Sequence, residues 1–176
     1  MRIPVGAFAN RLLHYERLPS DEGEIVSLRS QLRFSSDRTE AIGAIESIAS
    51  GRGWCNVVSD VVDDVPDLKV NFFGLWANQG ASMASFITSP PRHGEPQPSS
   101  LGVLHSRGRL GIERITSLLG GAPFRVQQDH SQRGLLLEVP AGTPAAQVLD
   151  VMCTMTASLC DYEMTGNWRL DLYVRE

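Results

Sequence analysis

Two short stretches carry the side chains best suited to chemistry. LHSRGRLG (104–111) and DHSQRGLL (129–136) each set a His-Ser pair just ahead of Arg and Gly. Imidazole exchanges protons near neutral pH, so His105 and His130 are candidates for acid–base work. A guanidinium offers a fork of N–H donors that matches carboxylate and phosphate oxygens, which assigns anion contacts to Arg107, Arg109 and Arg133. Ser106 and Ser131 add hydroxyls, and Gly108 and Gly111 let an oxyanion approach the backbone closely. A third stretch, DYEMTGNW (161–168), contributes Tyr162 and Glu163. The expected ligand is an anionic small molecule, with His105 and His130 in the catalytic role and the other named residues binding. The competing reading is that these are solvent-facing turns. It rests on a bias of the chain: of 16 basic residues only Lys69 is not Arg, so an Arg in a loop says less here than elsewhere.

Other candidates carry less. SRGRLG lacks the spacing and the Gly-Lys-Ser/Thr ending of a phosphate-binding loop, and no Gly-x-Ser-x-Gly elbow is present. SDVVDDVPD (59–67) gathers Asp60, Asp63, Asp64 and Asp67 without the spacing of a calcium loop, and reads as an acidic turn. Phe72, Phe73 and Trp76 lie beside a single positive charge, Lys69, and read as core rather than as a base-stacking platform. His93 reads as exposed loop, and His14 has no visible partner. Cys55, Cys153 and Cys160 lack framework spacing and read as reduced, buried thiols. No metal and no cofactor are expected.

The 176 residues are 42% hydrophobic and 20% charged, as in an ordinary globular protein. A net charge of −4 argues against a nucleic-acid partner. No apolar run reaches the ~18 residues of a membrane span, and the first residues make a poor signal peptide. The expected location is the cytoplasm.

The elements that must hold the loops follow from periodicity. Residues 1–23 lack a clear pattern, apart from a short helix over NRLLHYERL. EIVSLRSQLRF (24–34) alternates as a strand. Asp37 and Glu40 have the spacing of a capping box ahead of a helix with Ala41, Ala44, Ile45, Ile48 and Ala49 on one face. WCNVVSDVV, LKVNFFGLWA and MASFITS read as strands. SPPRHGEPQPSS (89–100) holds four prolines and reads as a linker or surface loop. Beyond it come a strand (SLGVLHS), a helix (109–119), a hairpin (FRVQQD and GLLLEV), a helix from Thr143-Pro144 to Cys160, and a closing strand, NWRLDLYVR.

The expected fold class is therefore α+β. A ferredoxin-like βαββαβ half (101–176) packs on, or shares a sheet with, a related but looser βαββ half (24–88). In that order the three loops meet at one sheet edge, next to the N-terminus of the 109–119 helix, whose free N–H groups favour an anion. The alternative function is a non-catalytic interaction module of inhibitor, immunity or assembly type. It would use a sheet face and the broadly apolar 144–160 helix, against a protein partner or in a homodimer.

Overall fold

The computed structural model describes residues 26–51, 53–62, 82–104, 115, 123–130 and 134–175. They form seven strands and two helices: β1 (Val26–Phe34), α1 (Thr39–Ile48), β2 (Gly53–Val61), β3 (Met83–Ile87), β4 (Ser99–Leu104), β5 (Arg125–His130), β6 (Gly134–Val139), α2 (Ala145–Leu159) and β7 (Met164–Arg175). Every one of these matches a stretch whose periodicity predicts it. The expected N-terminal helix and the LKVNFFGLWA strand lie outside the described residues. Of the expected 109–119 helix only Ile115 is described, and it is helical and fully buried.

All seven strands share one antiparallel sheet in the order β1-β7-β2-β3-β4-β6-β5. The α+β class holds. The ferredoxin-like order does not. Three of its strands are neighbours as expected, β4-β6-β5, but the closing strand β7 is not beside β4. It lies between β1 and β2, at the far side of the sheet. NWRLDLYVR alternates cleanly, which in a ferredoxin-like order suits its closing edge strand. Alternation reports a strand's two faces, however, and not its lateral position. β7 is flanked on both sides because its outward-alternating residues find lateral partners: Asp171 accepts from Gln31 Nε2 on β1 at 2.7 Å, and Tyr173 stacks on Trp54 of β2 at 4.8 Å.

One face of the sheet carries the apolar core. Cys55, Val57, Ala84, Phe86, Leu101, Val103, Leu135, Leu137, Leu170 and Leu172 alternate toward it, and α1 and α2 cover it with Ala41, Ile45, Ile48, Leu149, Met152 and Met155. α2 contacts α1 and strands β2, β3 and β4, so its broad apolar surface is absorbed within the chain. Its crossover from β6 to β7 passes over three strands, which is why a single helix needs so wide an apolar arc. The expected Thr143 cap is replaced. Pro144 takes the cap position, and its side chain has no polar atom to cap with, while the Thr143 hydroxyl donates to the Pro140 carbonyl at 2.8 Å. At α1, Asp37 Oδ1 accepts the Thr39 N–H at 3.0 Å, and this bond holds the Asp37 carboxyl below its ordinary value.

The Pro-rich stretch joins two neighbouring strands, β3 and β4. At its tip Arg92 and Glu95 exchange two backbone hydrogen bonds of 3.0 Å around His93-Gly94. Both turn residues are left-handed, at φ 54° and 81°. That is the two-residue geometry favoured in hairpins, here with His in a place that Asn or Gly normally takes. Prolines flank the turn on both sides and fix the backbone of an arm exposed from Pro90 to Pro96.

Candidate functional site

The strands define two ends of the sheet. The upper end holds Val61, Met83, Leu104, His130, Gly134 and Met164, and the lower end holds Gly53, Ile87, Ser99, Arg125 and Val139. At the upper end Leu104, the residue before His105, lies against Gly134, which in turn pairs with His130. Two strand spacings of ~4.8 Å separate Leu104 from His130, so their backbones are roughly 10 Å apart. Gly134 fastens the hairpin to β4. Its φ is +80°, and a Cβ there would sit 2.2 Å from the Val103 carbonyl oxygen, so only glycine fits.

The other site residues fall as follows. His105, Ser106, Arg107, Arg109, Ser131 and Arg133 lie outside the described residues. His130 is the last residue of β5. Tyr162 and Glu163 precede β7 at the same upper end, where the Val62 N–H donates to the Glu163 carbonyl at 2.8 Å. Because β2 and β3 intervene, they stand three strand spacings from β4, roughly 14 Å, instead of beside it. Of the acidic run, Asp60 forms an ion pair with Arg33 at 3.0 Å, and Asp63, Asp64 and Asp67 lie outside the described residues. Among the described residues, no three His, Cys, Asp or Glu side chains gather as a metal ion would require. No described helix is long and apolar enough to cross a membrane.

A polar row that periodicity alone did not single out crosses the sheet face opposite the core. Gln31, Asp171, Asn56, Ser85 and Gly102 stand side by side on β1, β7, β2, β3 and β4. Asp171 is only 8% exposed, and both of its carboxylate oxygens are hydrogen-bonded: Oδ1 by Gln31, Oδ2 by Arg169 Nε at 3.2 Å. Ser85, 1% exposed, donates to Asn56 Oδ1 at 2.7 Å. Polar groups withdrawn from water need such partners, and this row has them. The signal in the sequence was an Arg, an Asp and a Tyr at alternate positions of one strand.

The lower end of the sheet, on the helix side, holds a cavity of about 370 Å³. Phe86 and Val139 belong to the strands beneath it, Pro91, Pro96 and Gln97 come from the arm, and Pro140–Thr143 come from the turn before α2. None of its described lining residues is ionisable. The described cysteines are free and buried. Burial pushes the Cys55 thiol from 9.0 up to about 12. It pushes Cys153 up to about 11, against the pull of the nearby Arg38 charge. Neither is a thiolate nucleophile at neutral pH.

No protein-family profile, curated protein or solved structure matches the chain.

Proposed function

We propose that this protein binds an anionic small molecule at the upper end of the sheet, between the end of β4 and the β5–β6 hairpin. The supporting observation is the row Leu104–Gly134–His130, in which the backbone entering HSRGR and the backbone entering SQR stand two strands apart. Arg107, Arg109 and Arg133 supply forked cationic donors, Ser106 and Ser131 supply hydroxyls, and His105 and His130 supply proton exchange. Tyr162 and Glu163 stand too far along the edge to touch the same small ligand and have an outer role. Calorimetric titration with inorganic phosphate and with oxalate tests this reading. Saturable binding is expected, and Arg107→Ala or Arg133→Ala is expected to weaken it about tenfold or more, the worth of one charge-assisted hydrogen bond. Absence of binding, or binding indifferent to these variants and to His105→Ala/His130→Ala, refutes it.

A second reading, a protein-interaction module, is favoured by the Arg92–Glu95 arm. A tight hairpin between β3 and β4 needs two to five residues. This connection is longer, proline-braced and exposed, and so is pre-ordered for contact at little entropic cost. It predicts that a photo-crosslinker at His93, but not at exposed Glu46, captures one protein from the native host. That protein, once purified, should bind the wild-type chain at least about tenfold more tightly than an Arg92→Ala variant. Equal capture at both positions speaks against it.

A further inference from the structure

We infer that the cavity at the lower end of the sheet is a binding site for a small, uncharged, largely apolar molecule that carries a hydroxyl or amide. The site is distinct from the proposed anion site, which lies at the other end of the same strands, roughly 17–20 Å away for strands of six residues. Its volume, about 370 Å³, lies within the range of small-molecule pockets.

The lining argues the ligand's chemistry. Phe86, Val139, Pro91, Pro96 and Pro140 make apolar walls, which favour a flat or ring-shaped apolar body. The polar groups at the rim are few and neutral. The hydroxyls of Ser50, Ser89 and Ser99 make no hydrogen bond to another described residue. Gln97 donates its Nε2 to the carbonyls of Glu95 and Pro96, which leaves its Oε1 as an acceptor. A charged ligand would lose its hydration here, and the described lining offers no countercharge to replace it.

The length of the β3–β4 connection supports the same inference from another direction. Its residues Ser89, Pro91, Pro96 and Gln97 form one wall of the cavity, so the excess chain has a structural product. The wall is fixed in place. Gly51, at φ +86°, lies so close under Pro90 that a Cβ would come within 2.3 Å of the Pro90 Cα. Prolines hold the two limbs of the arm, and the paired Arg92 and Glu95 close its tip. A pre-formed wall of this kind spares a ligand the cost of ordering it.

The test is a backbone-amide NMR titration of the full chain with phenol, indole and cyclohexanol, and with benzoate and benzylamine as charged counterparts. Saturable shifts are expected for at least one uncharged probe. They should centre on Phe86, Gln97, Val139 and Ala141–Thr143 and leave Leu104 and Gly134 unmoved. Ala141→Trp places a ring at the exposed lip of the cavity and should weaken that probe about tenfold or more, with the rest of the spectrum preserved. Should that variant disturb the spectrum, Ser50→Tyr, at another exposed lining residue, is the equivalent test. Three results overturn the inference: no saturable shift with any uncharged probe, equal binding of the charged counterparts, or binding that neither variant weakens.

Discussion

Gly134 shows how one residue ties the upper end together. Its left-handed backbone and its contact with the Val103 carbonyl leave no room for a side chain, so the hairpin can start only where β4 ends. Buried thiols have their consequence at the same scale. Cys55 and Cys153 have folded-state values of about 12 and about 11, against 9.0 when exposed. Above about pH 9 the unfolded chain releases these protons while the folded chain retains them. Stability should therefore fall from pH 9 upward, by up to about 1.4 kcal/mol per pH unit for each thiol, until the folded values are reached. Urea unfolding followed from pH 8 to about pH 10.5 should show a flatter decline in Cys55→Ala/Cys153→Ala than in the wild type. Equal slopes would rule out the thiols as the cause.

At the scale of elements, the strands and helices were legible in the sequence because each carries its own period. GLLLEV, apolar on both faces, is flanked by β4 and β5, and FRVQQD, which alternates, is a sheet edge. α2 could be read as a core helix from its narrow polar stripe. The place of β7 was not legible. Its alternation fits an edge strand with a wet face equally well as an inner strand whose polar face is paired, and only Gln31, Trp54 and Arg169 distinguish the two. The capping role of Thr143 was not legible either: its hydroxyl turns back to donate to the carbonyl of Pro140, three residues upstream, a partner that helix periodicity does not reveal. Of the candidate site, the nearness of the β4 end to the β5–β6 hairpin followed from the β4-β6-β5 order, and most of its side chains lie outside the described residues. The distance to Tyr162 and Glu163 depended on β7 and was therefore underestimated. The cavity left no trace in the periodicity, because its lining comes from several separate segments with no shared pattern.

For the whole molecule, strands from before and after the Pro-rich stretch share one sheet, the second of the two arrangements expected. β7 pairs with β1 and β2, so the first and last described elements are interlocked. A chain of residues 99–176 alone would leave β7 without either neighbour and α2 without α1. It should give an undispersed amide spectrum, and a dispersed one would mean that the later half is an independent domain. Both edges of the sheet, β1 and β5, carry a bulge, at Leu28/Ser30 and at Val126/Gln128. Bulged edges resist pairing with another chain, so the sheet is built to end at its own strands. The two proposed sites lie at the ends of the sheet, the anion site at the upper end and the uncharged-ligand site at the lower. The most direct measurement is a phosphate titration that follows the amides of Leu104 and Gly134 together with the imidazole resonances of His105 and His130. All four should move with one affinity while Phe86 and Val139 stay still. Independent responses of the two imidazoles, or none at all, would contradict the anion site.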